Sequence, residues 1–303
     1  MSGRVRYSFT VYDYPADEVV PMAKAAEQAG FDAVWIGEHY VCPQDFTSEH
    51  PTADGRKDEH PARWIVGADA RLHDPWFFMG AMAGATTRLK VGTAICLAPL
   101  NHPLLLARAT LTAQEISGGR LLFGTGVGWL REEFDALQIP FESRGSRYDE
   151  ILDLLRRAWA GGYFAHEGEH FRFDAVQLTP HKVDVPLIIG GNTERAVRRV
   201  AAKADGWLNS AKISLADAVR LRERIEALRR EYGTDRRPFE YYVRPVEATR
   251  AEIGRFVAEG FENIVLWGPD IWPNKGGDSL KQKTERFHRA AQELEIAPET
   301  AGA

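Results

Sequence analysis

The sequence is organised around Gly118-Gly119-Arg120-Leu121-Leu122-Phe123-Gly124-Thr125-Gly126-Val127-Gly128-Trp129. The glycine pair is typical of a helix end, and the apolar run after it predicts a buried strand. Glycines then alternate at positions 124, 126 and 128. At the end of a strand, this spacing either offers bare backbone to a flat ligand or lets the strand pack closely inside a barrel. Because the pattern is G-x-G-x-G rather than G-x-G-x-x-G, a Rossmann dinucleotide site is a poor match.

Outward from this stretch, strand and helix patterns alternate along the whole chain. Besides the opening stretch, strands are predicted at residues 5–11, 32–36, 89–97, 185–189, 205–209, 239–246 and 262–267, with a short extra strand at 171–178. Helices are predicted at 16–29, from Pro75, at 104–116, from a capping box at Ser146 and Asp149, and at 193–203, 215–232, 251–259 and 280–294. Eight strand–helix alternations in 303 residues predict an α/β fold, a (β/α)8 TIM barrel forming one domain, 1–303.

Two segments are predicted to be loop insertions at the carboxyl ends of the barrel strands, where the active site of this fold lies. Residues 41–74 are rich in proline, charge and histidine, and a stretch of this length is more often an active-site lid than a passive connection. Residues 268–283 contain Trp272 and several glycines and are predicted to be a second active-site loop. Both segments would set substrate specificity.

Composition excludes several classes of function. The formal net charge of -5 and the lack of a basic stretch argue against nucleic-acid or membrane-surface binding. Only two cysteines occur, Cys42 and Cys96, which favours a reducing compartment and a cytoplasmic location. No H-x-H or G-x-S-x-G pattern is present, and neither a metal site nor a serine-hydrolase nucleophile is expected.

Two short runs at predicted strand ends are candidates for chemistry. Glu38-His39 follows the second strand and could act as an acid/base or cofactor-orienting pair, or His39 could be structural. Residues 190–193, Gly-Gly-Asn-Thr, join a strand to a helix N-terminus and could cradle a phosphate, with a simple N-cap as the alternative. Arg144 and Arg147 begin a helix, where the dipole disfavours cations, and are candidate anion contacts.

The chain resembles the bacterial luciferase-like monooxygenases, and within them the flavin- and coenzyme F420-dependent oxidoreductases. The resemblance covers nearly the whole chain. It is carried by residues 30–39 (GFDAVWIGEH), 85–93 (ATTRLKVGT), 117–121 with 128–134 (SGGRL and GWLREEF), 144–150 (RGSRYDE), 189–192 (IGGN) and 205–207 (DGW).

The resemblance implies roles for particular residues. Glu38 and His39 would line the cofactor ring and form the catalytic pair. After Thr93, Ala94 and Ile95 would form a backbone step, often a non-proline cis peptide, that bulges against the centre of the ring.

Other positions complete the expected site. The resemblance implies that Val127 and Gly128 flank the ring and that Gly190, Gly191, Asn192 and Thr193 hold the phosphate, which agrees with the interpretation from the residues alone. Three tryptophans near the predicted rim would suit an apolar substrate pocket, namely Trp129, Trp267 and Trp272.

Two departures from the family pattern bear on the substrate. Sugar-phosphate dehydrogenases of this family carry an acidic residue where this chain has Trp129, which argues against the same substrate and proton relay. Where relatives often have arginine before His-Pro, this chain has Asn101 before His102-Pro103, which leaves a common polar contact in doubt.

The implied function is F420-dependent hydride transfer to or from a small organic substrate. One alternative is an FMNH2-dependent two-component monooxygenase that uses O2 and a separate reductase. A non-catalytic flavin-binding barrel is a further alternative. The resemblance also implies a homodimer, because members of this family are frequently dimers.

Overall fold

The computed structural model describes residues 4–50, 66–67, 69–273 and 277–296, so much of the predicted 41–74 lid lies outside the described residues. The strands are β1 (Arg6–Val11), β2 (Ala33–Ile36), β3 (Lys90–Thr93), β4 (Cys96–Leu97), β5 (Leu121–Gly126), β6 (Phe164–Glu167), β7 (Arg172–Val176), β8 (Leu187–Gly190), β9 (Gly206–Leu208), β10 (Glu240–Val243) and β11 (Asn263–Trp267).

The helices alternate with these strands. They are α1 (Val19–Gln28), α2 (Pro75–Ala85), α3 (Pro103–Ile116), α4 (Arg131–Ala136), α5 (Arg144–Ala160), α6 (Glu194–Lys203), α7 (Leu215–Glu231), α8 (Arg250–Ala258), α9 (Gly268–Ile271) and α10 (Leu280–Glu293). Short 3-10 turns occupy Ala16–Glu18, Ala98–Leu100 and Phe141–Ser143. No helix among the described residues is long and apolar enough to cross a membrane.

The main sheet closes on itself as a parallel barrel. Its order is β3-β2-β1-β11-β10-β9-β8-β5-β4, and an additional β3–β5 pairing completes the ring. Since β3 and β4 are two halves of one interrupted strand, the ring has eight barrel strands, each followed by a helix. The predicted (β/α)8 fold is confirmed.

Two apolar layers hold the barrel together. Between strands and helices, Phe9, Phe31 and Phe287 meet edge to face, with ring centroids 4.9–5.4 Å apart. Inside the barrel, Trp35 and Tyr242 pack in a T-shaped pair at 5.1 Å. The interior floor is therefore filled by side chains, and a ligand can enter only above it, at the carboxyl ends of the strands.

The structure corrects several predicted boundaries. The strand predicted at 89–97 is broken after Thr93, and the extra strand at 171–178 pairs with β6 as an antiparallel hairpin. The predicted capping box is wrong, because α5 begins at Arg144 directly after a 3-10 turn and Ser146 donates its hydroxyl to the carbonyl of Ser143 instead. Helix α4 has no counterpart in the predicted elements, since it has only six residues.

The predicted 268–283 loop is also partly helical. Helix α9 takes its first residues, and α10 begins at Leu280, while residues 274–276 lie outside the described residues. Trp272 is fully buried there, and its indole N–H donates to the Glu18 carboxylate at 2.9 Å. Trp272 therefore belongs to the core beside α10, and the prediction that it lines a substrate pocket is wrong.

Candidate functional site

One barrel strand is interrupted at the mouth, between β3 and β4, and we call residues 94–97 the bulge. The peptide bond Ala94–Ile95 is cis, as the family resemblance implies. The Tyr12 hydroxyl donates to the Ala94 carbonyl at 2.9 Å, and the Thr125 hydroxyl donates to the Cys96 carbonyl at 2.9 Å. Side chains from β5 and from the end of β1 thus fix the bulge from two sides.

The alternating glycines make room for this bulge. A Cβ at Gly126 would lie 2.1 Å from Cδ1 of Ile95, and one at Gly190 would lie 3.0 Å from its Cγ2. A Cβ at Gly124 would lie 2.0 Å from the Thr93 carbonyl oxygen. Of the two explanations that the sequence leaves open, close packing inside the barrel therefore accounts for Gly124 and Gly126.

Glycines at the strand ends shape the mouth differently. Gly128 has φ +80°, a conformation that favours glycine, and its turn directs the chain into α4. A Cβ at Gly37 would lie 1.8 Å from Cε1 of Tyr12, so this glycine lets the Tyr12 ring lie against the β2 end and reach Ala94.

Glu38 supports the bulge from below. Its side chain is 6% exposed, and its Oε2 accepts a hydrogen bond from the Leu97 N–H at 2.6 Å. Burial raises the pKa of Glu38 to about 7, although the bonds from the Leu97 N–H and the Cys96 thiol oppose that shift. Burial likewise raises the pKa of the Cys96 thiol. Glu38 thus changes charge near neutral pH while holding the backbone of the bulge.

Replacing Glu38 by glutamine should change how stability depends on pH. A raised pKa in the folded state means that ionisation favours unfolding, so the wild type loses stability as pH rises from about 4.5 to about 7. The full loss corresponds to about 3 kcal/mol. The glutamine amide keeps an oxygen for the Leu97 N–H without the charge, so the difference in Tm between Glu38→Gln and wild type should grow from pH 5 to pH 8. A constant difference across that range would contradict the prediction.

His39 is oriented by a buried carboxylate. Its Nδ1 lies 3.1 and 3.2 Å from the two oxygens of Glu133, which is 1% exposed. The same carboxylate accepts the N–H of Tyr40 at 2.5 Å. With Nδ1 turned to Glu133, Nε2 is the ring nitrogen left to meet a ligand. Glu133 was not singled out in the sequence, although it lies in the GWLREEF motif on the short helix α4.

The start of the predicted lid packs against the same helix. Trp129 makes edge-to-face contacts with His39, Phe46 and His50, at centroid distances of 6.1, 6.2 and 5.2 Å. Glu132 accepts the N–H of Thr47 at 2.7 Å. Trp129 thus contacts both His39 and the first residues of the predicted lid.

The other side of the mouth carries an aromatic wall. Trp267 is the last residue of β11, and its ring centroid lies 5.3 Å from that of Tyr12. A shallow open cleft lies between the ends of β1 and β2, the segment 71–73 and α2, and Tyr12, Gly37, His39 and His73 are among the residues that line it. No group of three or more His, Cys, Asp or Glu side chains among the described residues could hold a metal.

The predicted phosphate cradle begins α6. Gly191 has φ +125°, and its N–H bonds to the Leu208 carbonyl. Thr193 caps the helix through the Ala196 N–H at 3.3 Å, and Asn192 exchanges two hydrogen bonds with the backbone of Ser210. These two side chains therefore have structural roles, as the N-cap alternative requires. Because the Ala196 and Val197 N–H groups both bond to Thr193, the N–H groups of Glu194 and Arg195 are the donors of the first turn that an anion could use.

Positive charge surrounds this helix end. Burial lowers the pKa of Arg144 most. The nearby charges of Arg131, Arg195 and Arg199 lower it further, whereas Glu142 opposes the shift. Arg199 pairs with Asp149 at 2.7 Å, whereas neither Arg144 nor Arg195 forms a salt bridge within the described residues. Arg147 instead donates to the Pro99 carbonyl and stacks on Phe171, so its predicted role as an anion contact receives no support.

The geometry suits a flat ring with an anionic tail. The ring would lie at the mouth between the Ile95 bulge and the aromatic wall, within reach of His39, because the interior below is filled. The tail would extend toward Gly190, Gly191 and α6, where free N–H donors and unpaired arginines meet. When bound, such a cofactor would supply hydride transfer or oxygen chemistry, and Nε2 of His39 would be the nitrogen available for proton transfer.

Known proteins resemble this chain over most of its length. An uncharacterised protein of Mycobacterium tuberculosis is 28% identical over 264 residues, covering 84% of this chain and 88% of that protein. An F420-dependent glucose-6-phosphate dehydrogenase of Nakamurella multipartita is 28% identical over 212 residues, covering 69% of this chain and 56% of the enzyme. Relatives that depend on FMN also occur.

The fold has solved counterparts. The coenzyme F420-dependent tetrahydromethanopterin reductase of Methanopyrus kandleri superposes with a TM-score of 0.71 at 15% identity, covering 96% of this chain and 99% of the reductase. The family model described as luciferase-like monooxygenase matches residues 5–296. The chain belongs to the luciferase-like monooxygenase family, whose members are flavin- or F420-dependent oxidoreductases and monooxygenases.

Proposed function

We propose that this protein is an F420-dependent oxidoreductase that transfers hydride to or from a small organic substrate. The choice of cofactor rests on two arginines beside the start of α6, Arg144 and Arg195. Their charges lie close together, and neither forms a salt bridge within the described residues. Coenzyme F420 bears carboxylates beyond its phosphate, whereas FMN ends in one phosphate. The arginines near α6 carry more positive charge than one phosphate needs. This excess of charge therefore favours F420.

In this proposal the residues divide the work between them. Thr93, Ala94 and Ile95 support one face of the ring, and Val127 and Gly128 flank it. The backbone at Gly190, Gly191, Asn192 and Thr193 receives the phosphate.

The reacting end of the site lies across the ring. His39, oriented by Glu133, donates or accepts the proton that accompanies hydride transfer, and Glu38 holds the bulge in place. Trp129 and Trp267 would bound the substrate pocket, and the lid would exclude water. The two free cysteines suit the cytoplasm, where we place the protein.

The alternative is an FMNH2-dependent monooxygenase working with a separate reductase. FMN-dependent relatives favour it, and the same His39–Glu133 pair could serve either reaction. A barrel that binds flavin without turnover is the third possibility. Cofactor titration separates all three.

The decisive experiment titrates the protein with F420 and with FMN, each oxidised and reduced, and follows fluorescence and turnover. Preferential F420 binding with no O2 uptake supports the proposal. Preference for reduced FMN with O2 consumption would replace it by the monooxygenase. Arg144→Gln with Arg195→Gln should weaken F420 binding at least tenfold and FMN binding less. Arg198→Gln is the matched control, because Arg198 also lies on α6 but pairs with Glu194 at 2.9 Å.

We further propose that the protein forms a homodimer through α2. Phe77 is 80% exposed on this helix, and Ala81 and Gly84 continue the same uncharged face. Phe77→Glu should shift the sedimentation coefficient from dimer to monomer, because a charge in an apolar interface lacks a partner. Tyr163→Glu is the control, since Tyr163 is also 75% exposed but lies between α5 and β6. A wild type that sediments as a monomer would contradict the proposal.

A further inference from the structure

Arg244 is a buried cation with no assigned role. It follows β10 directly and is 6% exposed, and its backbone N–H donates to the Asn209 side chain at 2.7 Å. Its Nε is buried and has no hydrogen-bond partner within residues 4–50, 66–67, 69–273 and 277–296. No carboxylate in these ranges forms a salt bridge with it. A buried guanidinium stays charged and is costly without an anion, so this arrangement calls for a ligand.

The neighbours of Arg244 place it at the barrel mouth. Its guanidinium carbon lies 5.6 Å from the centroid of the Trp267 ring, which in turn lies 5.3 Å from the Tyr12 ring. Tyr12 also interacts with the Arg244 side chain, and its hydroxyl donates to Ala94 in the bulge. Tyrosine and tryptophan rings stabilise a cation without neutralising it, so the positive charge remains available.

The order of the strands shows which side of the mouth Arg244 occupies. Arg244 and Tyr12 directly follow β10 and β1, and Trp267 is the last residue of β11; these three strands are consecutive in the ring. The bulge and the glycine-bearing strands β4, β5 and β8 form the opposite side. A ring lying on the bulge would therefore have Trp267 and Arg244 across the mouth from it, whereas Tyr12 spans the two sides, because its hydroxyl reaches Ala94.

We propose that Arg244 binds an anionic oxygen group of the substrate, such as a carboxylate or sulfonate, and so sets the substrate class. The phosphate cradle at α6 is assigned to the cofactor, because it begins at the end of β8, on the side of the mouth opposite Arg244. Guanidinium groups match planar or tripodal oxyanions with paired hydrogen bonds, and the buried setting strengthens that bond. The assignment deepens the proposed function and rests on it for the reaction that follows binding.

Binding of small probes to the cofactor-free protein tests the assignment. Benzoate and benzenesulfonate are compared with neutral benzamide by calorimetry. Wild type should bind the two anions at least tenfold more tightly than benzamide, and Arg244→Met should abolish that preference. Arg244→Lys should retain part of it. Arg147→Met is the control, because Arg147 is also stacked on an aromatic ring but its Nε already donates to the Pro99 carbonyl at 2.7 Å.

Several outcomes would overturn the assignment. Equal binding of benzoate and benzamide by wild type would do so, as would anion binding that persists in Arg244→Met and disappears in Arg195→Gln. Circular dichroism and Tm establish that each variant is folded. If Arg244→Met does not fold, the comparison is made with Arg244→Lys instead. The proposed function fails separately, since a protein that binds neither F420 nor FMN could still show anion binding that depends on Arg244.

Discussion

Gly124→Ala should destabilise the protein by more than about 4 kcal/mol, enough to prevent recovery of folded protein. The added Cβ would lie 2.0 Å from the Thr93 carbonyl oxygen and 3.3 Å from the Trp35 ring. The Thr93 carbonyl belongs to a neighbouring strand of the closed barrel, so it cannot move aside without breaking β-ladder hydrogen bonds. The yield of soluble, folded variant relative to wild type measures the effect, together with urea unfolding of any fraction that folds.

Gly254→Ala is the matched control. Gly254 lies within α8, and a Cβ there would have no heavy atom within 4 Å. Because alanine is the better helix former, this variant should gain up to about 1 kcal/mol in the free energy of unfolding. If Gly124→Ala unfolds like the wild type, the close packing of β5 is not what requires glycine at that position.

His39→Ala should lower turnover by about a hundredfold or more while changing the dissociation constant of the cofactor only slightly. The proposed role of His39 is proton transfer, which affects the rate of the chemical step rather than the affinity for the cofactor. Glu133→Gln should lower turnover as well, because the carboxylate fixes the ring through Nδ1 at 3.1 Å. The double variant should be no slower than His39→Ala, since Glu133 acts through His39.

His166→Ala is the control for this pair. His166 Nε2 also meets a glutamate, Glu150, at 2.7 Å, but on the β6–β7 hairpin side, outside the barrel ring. Its replacement should leave turnover unchanged. Unchanged turnover in His39→Ala at saturating substrate and cofactor would remove His39 from the mechanism, and additive losses in the double variant would give Glu133 a role of its own.

The barrel was predictable because its signals are local and repeated. Apolar strand runs and amphipathic helices recur in a fixed order, so an error at one element, such as the missed α4, leaves the topology intact. The start of α5 was misplaced because the stacking of Arg144 on Phe141, at 3.6 Å, is not a cap signal that a sequence displays.

The site was predictable only where residues are adjacent in the sequence. Glu38-His39 and the 190–193 run were found because they directly follow strands. The partners of these residues were missed, since Glu133 is 94 residues from His39 and Arg244 follows a strand with no motif. The alternating glycines at positions 124, 126 and 128 were the hardest to interpret. A strand that leaves space for a ligand and a strand that leaves space for a neighbouring carbonyl have the same sequence pattern.

The bulge described above has a consequence for redesign of this enzyme. Tyr12, Glu38 and Thr125 each bind a different atom of the same backbone segment, so these positions tolerate little variation on the cofactor side. Arg244 and Trp267, on the opposite rim, bind no part of that segment. If the cofactor binds as proposed, new substrate preferences should arise by exchange at the opposite rim, and libraries confined to Arg244 and Trp267 would leave the bulge and the side chains that bind it unchanged.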